Sequence, residues 1–181
     1  MCSRYTYTKD EAKLRLREKI EVFGCVPRAN IRPTDLGPVI IPESDAFSCR
    51  EMNWGWQVPW DQSPLINAKS ETLTTLPTYR NHLQNRCLLL ADGFYEKGVR
   101  FLQPGEPVFC LAGLWRAENG VNRFTMLTTT PNETVAPFHH RMPFIVHPDH
   151  YTAWLGDGWQ QILDIPDRAP LDKIQKQPVL F

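Results

Sequence analysis

Sixteen prolines and ten glycines are spread along 181 residues. Proline removes a backbone donor and fixes φ, and glycine weakens helix and strand interiors alike. A chain so punctuated folds through many turns and short elements rather than long helices. Six Trp, nine Phe and five Tyr supply bulky material for a core, and 42% of the residues are hydrophobic. The length suits one domain, taken as residues 1–181.

The elements are read from periodicity. Thr8 followed by Glu11 makes a capping box, and Ala12, Leu16, Ile20 and Phe23 follow helical spacing. This predicts an amphipathic helix over 9–22 that ends near Gly24. "PVIIP" (38–42) is a short strand between prolines, and "EMNWGWQVPW" (51–60) is strand and turn. Residues 69–84 are helical in parts, interrupted by Pro77. "CLLLADGFYEK" (87–97) is a buried strand, a turn at Gly93, then a second strand. "PVFCLAGLW" (107–115) and "RFTMLTTT" (123–130) are strands joined through an Asn-Gly hairpin. "HPDHYTAWLG" (147–156) is a short helix. Strands dominate, so the fold class is α+β with a mostly antiparallel, strongly curved sheet.

Several function classes are disfavoured. No apolar run reaches the roughly 18 residues of a membrane helix, and the polar start lacks a signal-peptide core. This predicts a cytoplasmic protein with no membrane partner. Five cysteines, at 2, 25, 49, 87 and 110, form no C-x-x-C pair and argue against a disulfide framework or a zinc knuckle. Cys49, Cys87 and Cys110 read as buried or half-buried packing residues. His147 and His150 form H-x-x-H, a weak metal signal, so neither metal nor organic cofactor is expected. Formal net charge is zero, and nucleic-acid binding would need a local basic surface.

Chemistry could live in four places. Cys2 directly follows Met1 and is either an ordinary buried cysteine or a nucleophile. With Met1 removed, it carries an α-amine of pKa roughly 7.7–8.0 beside a thiol. That amine can form an imine with an aldehyde, and the thiol can close on it as a thiazolidine, an intramolecular step. The same terminus could also supply a thiolate with its own amine as base. Glu96, flanked by Phe94 and Tyr95, is either solvated or set in a dry pocket as a general acid. Asp92 reads as a turn former. His139 and His140 point opposite ways if the chain is extended, so one of them serves acid/base chemistry better than a metal. Trp54 and Trp56 fall on one strand face, as core or, if exposed, as stacking platforms for unpaired bases.

Seven stretches in order are similar to motifs of the SOS-response-associated peptidase family, whose members process abasic sites and crosslink to single-stranded DNA. They are "MCSRY", "ANIRPTDLGPVI", "MNWGWQVPW", "INAKSETL", "RCLLLADGFYEK", "AGLW" with "TMLTTTPN", and "HHRMP". The resemblance implies that family's fold, with a barrel-like curved sheet and few short helices. It implies that Cys2 traps the ring-opened aldehyde of an abasic site as a thiazolidine. Asn67 would orient Cys2 and the sugar, Glu96 would serve as acid/base, and His139 would assist at the sugar hydroxyl. Arg4, Lys69 and Arg141 would hold phosphates, with Trp54 against a base. Autocatalytic or enzymatic removal of Met1 and strand cleavage by β-elimination are implied too, in a monomer. Two competitors stand beside this reading: an N-terminal-nucleophile amidohydrolase and a non-catalytic single-stranded DNA binder. The sequence departs from the family pattern at Ser3, Val58, Lys69, Lys97 and His140.

Overall fold

A computed structural model of the protein describes residues 2–9, 13–16, 20–44, 46–165 and 170–175. The first half holds β1 (Tyr5–Tyr7), β2 (Lys13–Leu16), β3 (Ile20–Phe23), β4 (Arg28–Ile31), β5 (Leu36–Glu43) and β6 (Ala46–Trp54). They are followed by β7 (Trp56–Val58), β8 (Asp61–Leu65), β9 (Asn67–Lys69) and a four-residue helix, α1 (Pro77–Arg80). The second half holds β10 (Arg86–Ala91), β11 (Gly93–Glu96), β12 (Val99–Leu102), β13 (Phe109–Glu118) and β14 (Val121–Thr129). It ends with β15 (Met142–Pro143), β16 (Ile145–Val146), α2 (Tyr151–Leu155), α3 (Trp159–Leu163) and β17 (Asp172–Gln175).

Five strands form a ring in the order β14–β6–β5–β10–β13, closed by pairing of β13 with β14. All its pairings are antiparallel except β14 with β6. Closure removes the edges that an open sheet would expose. A second sheet runs β17–β12–β11–β1–β4. The chain passes from ring to second sheet at Asp92, between β10 and β11. Strand β10 is buried at every position, and its unbroken apolar run reflects a strand covered on both faces. Two tight hairpins fix registers. Asn119–Gly120 joins β13 to β14 with φ of 49° and 79°, and Lys97–Gly98 joins β11 to β12 with 45° and 80°. Both pairs lie in the left-handed region that a type I′ turn requires.

The α+β, mostly antiparallel expectation is met, and the ring is its curvature. The hairpin at Asn119–Gly120 and the short helix near 147–156 are met as well. Three local expectations are corrected. Within the predicted helix over 9–22, β2 and β3 pair antiparallel, with Leu14 opposite Val22 and Leu16 opposite Ile20. The sequence there also alternates, K-L-R-L and I-E-V-F, and β-branched Ile20 and Val22 favour the two-residue period. Glu11 of the proposed capping box lies outside the described residues. Gly93 begins β11 instead of forming the turn, because Asp92 makes the break. Pro77 starts α1 instead of interrupting a helix, at the position where a missing N–H costs nothing.

Candidate active site

The site is built around the amino-terminal segment. Tyr5 lies opposite Phe94 and Thr6 opposite Gly93. The Tyr95 N–H donates to the Arg4 carbonyl at 3.0 Å and carries that register on. Cys2 is thereby brought level with Glu96 and the Lys97–Gly98 turn. Behind it, the ring supplies β9, whose Asn67 pairs alongside Met126 of β14. The Tyr79 hydroxyl on α1 braces the Asn67 carbonyl at 3.3 Å.

Cys2 is fully buried, and its Sγ donates to the Arg4 carbonyl at 3.4 Å. Burial, with the nearby Glu96 charge adding to it, pushes the thiol up to about 12. It is held protonated, which disfavours a resting thiolate nucleophile. Asn67 Nδ2 donates to the Cys2 carbonyl at 2.9 Å. Asn67 Oδ1 is buried with no hydrogen-bond partner among the described residues. A substrate hydroxyl would satisfy it. Glu96 is 4% exposed, and burial raises its carboxyl above the usual range against the pull of the amino terminus and Lys97. A carboxyl raised in this way keeps its proton to higher pH than an exposed glutamate does, as a proton donor needs.

His139 and His140 sit in a bend instead of a strand, and their rings stack at 4.3 Å with 26° between planes. The expectation that they point opposite ways is corrected. The Arg141 N–H donates to His139 Nδ1 at 3.0 Å, a tight local closure that an extended chain could not make. The Arg141 carbonyl lies 3.1 Å from the same Nδ1. His140 is exposed. Cys2 has Asn67 and Glu96 as neighbours.

The residues expected to meet DNA divide. Lys69 is exposed and falls two residues after Asn67 on β9. Arg4 is half-buried, its guanidinium 4.0 Å from the centre of the Tyr95 ring. Trp54 is a correction. It is fully buried, edge-on to Tyr5 at 5.3 Å, stacked on Phe124 at 6.1 Å, and donates from Nε1 to the Ile66 carbonyl at 2.7 Å. It has no face for a base. Gly55, at φ 115°, follows it and breaks the alternation, so Trp56 packs elsewhere, against Tyr79 and His82. The exposed ring of this stretch is Trp60. Arg141 is a second correction. Its two terminal nitrogens hold the Glu71 carboxylate at 2.7 and 2.8 Å, and Nη2 also donates to the Thr128 carbonyl. Its guanidinium ties β15 to the turn after β9 instead of facing a phosphate.

Sequence reasoning missed two supports. Asp92 is a buried acceptor for the Thr6 hydroxyl, the Thr8 hydroxyl and N–H, and Arg100. Burial opposes its ionisation, but these bonds and the Arg100 charge hold its carboxyl below the usual range. "ADG" reads as a turn, and nothing local distinguishes the two roles. Glu71 was likewise hidden, its partner Arg141 being seventy residues away in sequence.

The sequence model of the SOS response associated peptidase family matches residues 1–179. The abasic site processing protein YoaM of Bacillus subtilis is 32% identical over 149 residues, covering 71% of this chain and 66% of its own length. YoqW of the same organism, also called an abasic site processing protein, is 28% identical over 179 residues, covering 86% and 80%. The chicken protein HMCES, of the same description, is 26% identical and 58% covered. Among solved structures, a protein from Bordetella bronchiseptica superposes with a TM-score of 0.77 at 25% identity, covering 97% of this chain and 100% of the other. One from Bacteroides thetaiotaomicron gives 0.76 at 19% identity, covering 95% and 90%, and shares the fold.

Proposed function

The chain belongs to the SOS response associated peptidase family, and on that premise we propose that it traps abasic sites of single-stranded DNA on Cys2. Several relatives are named for abasic site processing, which supports the substrate class. The observation that carries the reading is the arrangement at the amino terminus: Asn67 holds the Cys2 carbonyl while a buried Glu96 with a raised pKa lies beside it.

With Met1 in place the Cys2 nitrogen is a peptide amide and cannot form an imine, so the reaction needs Met1 removed by hydrolysis of the Met1–Cys2 bond. The closed abasic sugar is a hemiacetal. Glu96 gives its proton to the ring oxygen, and His139 takes the proton of the anomeric hydroxyl, which opens the aldehyde. The Cys2 α-amine adds to that carbon, His139 returns its proton to the departing hydroxyl, and water leaves, giving an iminium. The thiol adds to the same carbon, its proton passes to the Glu96 carboxylate, and the five-membered ring closes. The net change is loss of one water. Diversion of the iminium by β-elimination would cut the strand. Arg4 and Lys69 are the cations assigned to the backbone. The amidohydrolase alternative needs a ready thiolate, and a thiol pushed up to about 12 does not supply one.

The test is a denaturing gel of the protein incubated with an abasic single-stranded oligonucleotide. Wild type gives a shifted, heat-stable band, and Cys2→Ala gives none unless borohydride is added to trap an imine. A heat-stable band from Cys2→Ala without reductant would overturn the thiazolidine.

A further inference from the structure

Tyr5 opens β1, three residues from Cys2, and its side chain reaches across to the ring. It is fully buried, edge-on to Trp54 at 5.3 Å, and Trp54 stacks in turn on Phe124. Gly37 of β5 lies opposite Met52, and Trp54 lies opposite Phe124. Met52 and Trp54 are two apart on β6, so Gly37, Trp54 and Phe124 share one face and form a socket for the tyrosine. A Cβ at Gly37 would stand 2.3 Å from the Tyr5 hydroxyl oxygen. The next nearest atoms, two ring carbons of Phe124, would be 3.3 and 3.4 Å away. Among the described residues the hydroxyl makes no hydrogen bond, so its contact with Gly37 is steric. Gly37 is not one of the glycines at positive φ, so only that hydroxyl stands against an alanine.

Resting on the abasic-site reading above, we infer that Gly37 is a positioning residue: its bare backbone lets Tyr5 seat to full depth, and that depth sets where the Cys2 α-amine meets the sugar. The tyrosine ring is rigid, so a block at its tip is passed back to its Cα. The far side of the contact is stiff. β5 pairs with β6 along Leu36–Glu43 and with β10 at Val39 and Ile40, inside the closed ring. β1 has three residues, and its register against β4 shifts between Tyr5 and Tyr7. The short strand is therefore the one that yields. Moving the hydroxyl from 2.3 Å to an ordinary contact of 3.4 Å takes about 1 Å. The displacement has a short path to the nucleophile, because the Arg4 carbonyl next to Tyr5 accepts from the Cys2 thiol. Asn67, held on β9 of the ring, does not follow, and its bond to the Cys2 carbonyl is strained. A misplacement of about 1 Å at a reacting group costs about 100-fold in rate.

Two quantities are measured for each variant, after circular dichroism has established that it is folded. One is the crosslinking rate at saturating abasic single strand. The other is affinity, by anisotropy, for a fluorescein-labelled strand carrying a tetrahydrofuran abasic analogue, which cannot form an imine. Gly37→Ala crosslinks about 100-fold more slowly, with its probe affinity unchanged. In a Tyr5→Phe background, which lacks the obstructing hydroxyl, the same Gly37→Ala change costs less than about threefold, so the two sites couple strongly. A glycine that served stability alone would lower the melting temperature and leave the rate of the folded protein untouched. Tyr5→Leu, which reaches less far into the socket, also slows the saturated reaction without loss of probe affinity. A wild-type rate in folded Gly37→Ala, or in Tyr5→Leu should Gly37→Ala not fold, overturns the positioning role. So does an equal loss from Gly37→Ala with and without the Tyr5 hydroxyl. Failure of wild type itself to crosslink a reactive abasic strand overturns the reading beneath, and that result is read before any variant is made.

Discussion

Replacing Trp54 by alanine separates a core residue from a DNA-stacking one. The ring is fully buried against Tyr5 and Phe124, and its Nε1–H satisfies the Ile66 carbonyl. Removing it leaves a cavity and takes one of two donors from the Ile66 carbonyl, which keeps the Met126 N–H. A buried Trp→Ala substitution costs about 3–5 kcal/mol. For a chain of this length each kcal/mol moves Tm by about 2–4 °C, so the melt should fall by about 6–20 °C. Trp54→Phe keeps a ring against both neighbours but loses the indole donor to Ile66, whose carbonyl keeps the Met126 N–H, and should cost about 0.5–1.5 kcal/mol. The alternative has a different signature. Loss of a base-stacking aromatic would cost about 1–3 kcal/mol of DNA affinity, roughly 5- to 150-fold, with little change in melting. Circular-dichroism melts and anisotropy with an abasic-analogue strand, read well below the transition, distinguish them. An unshifted melt with weakened DNA binding would refute the placement of Trp54 in the core.

Glu96→Gln should slow single-turnover crosslinking by about 10²–10⁴. Because burial raises the Glu96 pKa, its protonated form serves the reaction up to a higher pH than an exposed glutamate would, and the wild-type rate should fall as pH rises through that value. The same linkage makes wild type lose stability as pH rises through it, a limb Glu96→Gln should lack in urea melts. Asp92→Asn should cost about 1.5–3 kcal/mol, the range for hydrogen bonds to a charged group. Its carboxyl is lowered in the fold, so the wild-type contribution is present above the unfolded aspartate value and lost as pH falls through the folded one. Equal acid sensitivity of Asp92→Asn and wild type in urea melts would contradict it. Asn67→Ala should lower the crosslinking rate at saturating DNA about tenfold, the equivalent of one hydrogen bond, and by more than it lowers affinity for the tetrahydrofuran probe.

The strands legible in the sequence are those with local signals: the apolar run of β10, the Asn-Gly hairpin, and the proline-bounded run within β5. What the sequence concealed depends on pairing. The ring closes because β14 meets β13 on one side and β6 on the other, and parallel pairing with β6 has no local mark. The region over 9–22 satisfied both a 3.6-residue and a two-residue period. The hairpin prevailed, its β-branched residues and antiparallel partner lying within the same few residues. At the site, Cys2, Asn67, Glu96 and His139 come from four separate segments, and motif order brought them together where spacing could not. Trp54 and Arg141 misled for one reason: a large aromatic and a guanidinium look alike on paper whether they face DNA or the core. Only the Tyr5 and Phe124 rings, or the Glu71 carboxylate, decide the matter.

The central claim is that the α-amine and thiol of Cys2 together capture the abasic aldehyde. It is tested most directly by intact mass spectrometry of the protein after reaction with an abasic single strand, crosslinked and unreacted pools weighed separately. The account predicts that every crosslinked molecule lacks Met1 and weighs the sum of processed protein and oligonucleotide less one water, without reductant. Crosslinked molecules that retain Met1, or a linkage mapped by peptide sequencing to a residue other than Cys2, would contradict it.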